Sequence, residues 1–131
     1  MLDTNIASDM IKGSASQTRV RLAKLPLNSV VISVVTQAEL LYGLARKGRP
    51  KPLAQLIREF LSRVDVLVWD SAAAEHYGDL RAACAALGIT LSALDMMIAA
   101  HAVAAKATLV TRDKAFNFVP SNMFKVVQWI D

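Results

Sequence analysis

The chain is 131 residues long, 54% hydrophobic and 20% charged, which excludes a disordered polymer and fits one domain, residues 1–131, with a core of its own. A lone cysteine, Cys84, excludes an internal disulfide, and the longest apolar run, Leu94 to Ala105, is broken by Asp95 and His101 and falls short of the roughly 20 residues that cross a bilayer. A net charge of +4 is compatible with a polyanionic partner but does not demand one.

The opening MLDTN carries no basic segment followed by an apolar one, so a cytosolic location is expected. Met1 to Asp3 reads as the end of a short strand, Asn5 to Lys12 as a helix closed by Gly13, and Ser16 to Lys24 as a second helix stopping before Pro26. Ser29 to Val34 is β-branched and almost wholly apolar, the pattern of a strand buried on both faces. Thr36 to Arg46 predicts a helix, followed by the basic loop Arg46-Lys47-Gly48-Arg49-Pro50-Lys51. Leu53, Leu56, Ile57, Phe60, Leu61 and Val64 keep the spacing of an amphipathic helix. Val66 to Trp69 predicts a strand, Ser71 to Leu87 a helix ended by Gly88, and Ser92 to Lys106 a further helix. Thr108 to Thr111 and Lys125 to Trp129 predict the last two strands. Strands separated by helices require crossover connections, so the fold class is α/β, with a mainly parallel sheet between helical layers.

Ligands bind such sheets at the carboxyl ends of the strands. Four acids fall there: Asp3 after the first strand, Glu39 in the first turn after the second, Asp95 in the first turn of its helix, and Asp113 just past Thr111. Each has a structural alternative. Thr36-Gln37-Ala38-Glu39 and Ser92-Ala93-Leu94-Asp95 both match the capping box, Asp3 suits an N-cap, and Asp113 suits a loop acid paired with a neighbouring cation. Taken together, converging carboxylates repel one another unless protons or a cation intervene. Oxygen ligands without clustered histidine or cysteine suit Mg²⁺ or Mn²⁺, and hence phosphate chemistry. His101 and His76 form no zinc site and read as structural or surface residues; Cys84 reads as a core thiol.

LDTN, SVVTQAEL, LSALDMMIAAHA and TLVTRDKAF, in that order, resemble the PIN-domain ribonucleases, and among them the VapC toxins of bacterial toxin–antitoxin pairs. The resemblance implies a three-layer α/β/α sandwich and a metal site on Asp3, Glu39, Asp95 and Asp113, supported by the polar residues Asn5 and Thr111. It further implies Mg²⁺- or Mn²⁺-dependent cleavage of RNA, with tRNA favoured, a VapB-type antitoxin partner, and a homodimer within a larger complex. Relatives carry more apolar residues before the first aspartate, so either a short first strand or a misassigned start site is expected here. Leaving out the four acids, 15 basic residues face seven others, an excess available to an RNA backbone. Arg46, Lys47, Arg49, Lys51, Arg112 and Lys114 are the candidates for that contact. Two other readings compete. A haloacid-dehalogenase-like phosphatase needs an aspartate where Asn5 stands, and a non-catalytic PIN-like RNA- or protein-binding module has no use for all four acids.

Overall fold

The computed structural model describes residues 1–13, 16–26 and 29–129. In chain order the elements are helix α1 (Thr4–Lys12), helix α2 (Ser16–Ala23), strand β1 (Val31–Ser33), helix α3 (Val34–Arg46), helix α4 (Lys51–Arg63), strand β2 (Asp65–Leu67), helix α5 (Ser71–Ala86), helix α6 (Ala93–Ala104), strand β3 (Leu109–Thr111), a 3₁₀ helix (Lys114–Phe118) and strand β4 (Val126–Gln128).

The expected short first strand is very short. Only Leu2 pairs, forming parallel bridges to Ile32 on one side and Val110 on the other. The backbone bonds Leu2 N–H to Val31 O and Asp3 N–H to Val110 O, both 3.0 Å, hold it there. β1 pairs with β2 and β3 with β4, both parallel, so Leu2 joins the two pairs and gives the order β2, β1, Leu2, β3, β4.

Successive strand residues point to opposite faces. Met1, Val31 and Leu109 join the core formed with α5 and α6, including Leu80, Cys84, Ile98 and Ala102. Their neighbours Leu2, Ile32 and Val110 join Ile6 of α1 and Phe60 and Leu61 of α4 on the other face. This alternation produces the α/β/α sandwich, because the central strands are apolar up to their last residues, Ser33 and Thr111, and each face is covered by helix.

Two boundaries differ from the sequence expectation. β1 ends at Ser33 and Val34 begins α3, although Val34 is β-branched. Ser33, not Thr36, is the N-cap: its hydroxyl accepts from Val35 N–H at 3.0 Å. The Thr36–Glu39 capping box is therefore absent, and Glu39 lies in the second helical turn. The 3₁₀ helix after Asp113, with Phe116 buried, has no periodic signal in so short a segment.

Candidate active site

The central strand position places β1 on one side and β3 on the other, so the chain winds in both directions from Leu2. The crevice opened by that reversal lies at the carboxyl ends of the strands. Asp3, the next residue, is 3% exposed there. It is the N-cap of α1: Oδ1 accepts from Ile6 N–H at 2.9 Å. Its other oxygen, Oδ2, accepts a short hydrogen bond from the Thr111 hydroxyl at the end of β3.

The remaining acids arrive from separate elements. Ser92 caps α6 by accepting from Asp95 N–H at 3.1 Å, and Asp95, in that first turn, lines the crevice. Asp3, Asn5, Glu39 and Asp95 line one cavity of about 350 Å³. Asp113 N–H donates to Thr111 Oγ1, and Asp113 Oδ1 accepts from Ala115 N–H, both at 2.9 Å. Thr111 thus links the backbone of Asp113 to the carboxylate of Asp3. Asp113 is half-buried and caps the 3₁₀ helix; the cation beside it in sequence, Arg112, pairs instead with Asp9 at 2.8 Å.

Electrostatics couple three of these groups. Burial pushes the Asp3 carboxyl above its ordinary range; the hydrogen bonds from Thr111 and Ile6 pull it back, and the charges of Asp95 and Asp113 push it up again. Asp95 is also raised, first by burial and then by Asp113, with Ser92 opposing. A carboxylate raised by desolvation and by like charges gains most from a cation.

Among the described residues, no three His, Cys, Asp or Glu side chains gather tightly enough to ligate one ion by themselves. The donor set nonetheless fits a hard cation. All the donors are oxygens, and Mg²⁺ keeps several waters while binding through one or two carboxylates. Asp3 and Asp95, with Glu39 and Asp113 directly or through water, are the residues that could hold it.

Residues that sequence reasoning passed over support the acids. The Thr4 hydroxyl donates to Glu39 Oε1 at 2.6 Å and lies 3.3 Å from Thr36 Oγ1. Gln128 Nε2 donates to the Asp113 carbonyl at 2.9 Å. His101 is buried, its Nδ1 2.7 Å from Ser33 Oγ, and Cys84 is buried in the core. Thr4 adjoins an acid in a recognised motif, which was its only available signal; Gln128 had none.

The basic candidates are all exposed. Arg46 and Lys47 line a groove between α1 and α3 that shares Thr4, Asn5 and Glu39 with the acidic cavity. Arg49 and Lys51 lie outside that groove, at the turn into α4, and Lys114 opens the 3₁₀ helix. No described helix is long and apolar enough to cross a membrane.

The PIN domain family model matches residues 1–121. The chain belongs to the PIN-domain family. This PIN domain is 40% identical over 113 residues to the tRNA(fMet)-specific endonuclease VapC of Shigella flexneri, covering 86% of this chain and 85% of that protein. It superimposes with a TM-score of 0.91 and 30% identity on a chain of VapBC2 from Rickettsia felis bound to a promoter DNA fragment, covering 99% of this chain and 98% of that one. The corresponding values for DNA-bound VapBC from Salmonella typhimurium are a TM-score of 0.88, 33% identity, and 99% and 97% coverage. Such coverage at these identities places the PIN domain among the VapC ribonucleases and bears out the expected fold.

Proposed function

We propose that this PIN domain is the toxin of a toxin–antitoxin pair, a Mg²⁺- or Mn²⁺-dependent endoribonuclease that hydrolyses RNA phosphodiester bonds, with tRNA as the favoured substrate. The observation that carries the reading is the buried Asp3 at the end of the central strand, in the field of Asp95 and Asp113. The names of its relatives support ribonuclease chemistry and, for the Shigella protein, a tRNA substrate. Solved VapBC neighbours support a VapB-type antitoxin as partner; a toxin homodimer within that complex is part of the proposal.

When bound, the divalent ion supplies a lowered pKa for water and charge neutralisation at the phosphate. Asp3 and Asp95, together with Glu39 and Asp113 directly or through water, would hold it. Each acid is itself fixed: Asp3 by Ile6 N–H and Thr111, Glu39 by Thr4, Asp113 by Ala115 N–H. The Ser33–His101 pair is buried and lines no part of this cavity, so no described Ser–His or Cys–His pair can act there as a protein nucleophile, and the attacking group is water. The electrostatic demand for a cation also separates this reading from a non-catalytic module, which gains nothing from crowding three carboxylates.

Purified protein incubated with total RNA and Mg²⁺ or Mn²⁺, with the 5′ ends of the products mapped, tests the proposal. Discrete cuts that vanish with EDTA and with Asp95→Asn are expected. Intact RNA under both metals would reject it.

A further inference from the structure

The groove between α1 and α3, closed on one side by Leu53 and Ile57 of α4, continues the acidic cavity with the opposite charge. At one end it contains Thr4, Asn5 and Glu39; at the other it is lined by Lys12, Arg46 and Lys47. Lys12 and Arg46 lie in the last turns of their helices and Lys47 is the C-cap of α3. None of the three makes an ion pair with a described residue. From Thr4 to Lys12 the helical rise spans about 12 Å, the reach of a short stretch of extended strand leaving the acids.

The floor of this groove holds an independent signal. Gly43 lies in the interior of α3, where glycine is the least favourable residue apart from proline. Its backbone does not require glycine: it lacks a positive φ. Packing does not require it either, since a Cβ built there meets no atom within 4 Å. Gly78 inside α5 also faces open space; Gly43 differs in lining a groove between an acidic end and a basic end, where a ligand can occupy the space.

We infer that this groove is the substrate channel of the PIN domain, in which Lys12, Arg46 and Lys47 hold the phosphates flanking the scissile bond and Gly43 leaves room for the strand to lie against α3. The inference rests on the ribonuclease reading and adds the path of the RNA to it. Lys12 is a binding residue that the basic loop pattern alone does not reveal, and Arg49 and Lys51, outside the groove, are not required.

Affinity for a short single-stranded RNA, measured in EDTA across a salt series, is compared for wild type, Lys12→Gln/Lys47→Gln and a control pair, Lys106→Gln/Lys125→Gln, with the same net charge change. The groove pair should weaken binding on the order of tenfold and flatten the log–log salt slope by about 1.4, the value for two single-strand phosphate contacts. The control pair should do neither. Gly43→Leu should melt at or above the wild-type temperature while raising KM for RNA with kcat retained. Equal weakening by the two charge pairs, or unchanged KM in Gly43→Leu, would overturn the channel while leaving the ribonuclease reading intact. A wild-type protein that cuts no RNA under either metal would overturn the ribonuclease reading and the channel with it.

Discussion

The Thr111 hydroxyl donates to Asp3 Oδ2 and accepts from Asp113 N–H, so one side chain at the end of β3 sets two of the four acids. Thr111 is fully buried, and its loss leaves an Asp3 oxygen short of a donor. Thr111→Val should destabilise the fold by about 1–3 kcal/mol, the cost of a buried polar group left unsatisfied. It should also raise the Asp3 carboxyl further, because that hydrogen bond holds it down. Thr111→Ser keeps the hydroxyl and should recover most of both effects in urea unfolding and in the pH profile of cleavage.

The raised carboxyls of Asp3 and Asp95 predict the sign of a metal effect. Without metal, a folded acid whose pKa exceeds its unfolded value binds more protons than the unfolded chain, so stability falls as pH rises from the ordinary carboxylate value through the raised one. Asp95→Asn removes part of that penalty and should melt at or above the wild-type temperature in EDTA at neutral pH. Mn²⁺ at 100 times its dissociation constant should stabilise wild type by about 2.7 kcal/mol and Asp95→Asn by much less. Thermal melts with and without the ion, read beside RNA cleavage, check this. Asp95→Asn should lose cleavage by more than about 100-fold, since each factor of ten is about 1.4 kcal/mol of transition-state stabilisation. Stability lost with cleavage retained would make Asp95 a helix cap alone.

Thr4 acts through Glu39. Its hydroxyl, 2.6 Å from Oε1, limits the rotamers of a side chain that otherwise projects into an open cavity. Thr4→Val should lower kcat by about tenfold with a stability cost of about 1 kcal/mol, the typical net value of one hydrogen bond. Thr4→Ser should restore kcat. In a double-mutant cycle, Thr4→Val combined with Glu39→Gln should cost little more than Glu39→Gln alone; additive losses would mean that Thr4 does not work through Glu39.

How much of this was legible depended on whether a contact was local. Strands β1 and β3 announced themselves as β-branched apolar runs and Asp113 as the acid just beyond one; Asp3, after only Met1 and Leu2, was marked by the helix that follows it. The capping role of Ser92 was readable because N-cap and N3 are sequence neighbours. The Thr36–Glu39 pattern misled for the complementary reason. It had the right spacing, but Ser33 caps α3 three residues earlier, and Val34 and Val35 go into helix because Val35 packs into the core with α6. Tertiary burial overrode β propensity there. The approach of Asp95 to Asp3 spans a loop with no strand before α6, and Thr111 to Asp3 spans 108 residues; only the assembled sheet brings these together.

Ser33 ties this site to a titratable group on the opposite layer. Its hydroxyl accepts from Val35 N–H, so its own proton is free to go to His101 Nδ1, 2.7 Å away. Burial lowers the His101 pKa from its ordinary value, while the charge of Asp70 and a backbone hydrogen bond with Val68 oppose the shift. Between the lowered value and the usual one near 6.5, the unfolded chain binds more protons than the folded one, so stability falls as pH drops below about 6.5. Protonated Nδ1 would also turn from acceptor to donor and leave the Ser33 proton without its partner. Urea midpoints measured at pH 7.5 and 5.5 in EDTA should therefore show a loss on acidification that His101→Asn reduces. An acid loss of equal size in His101→Asn and wild type would remove His101 as its source.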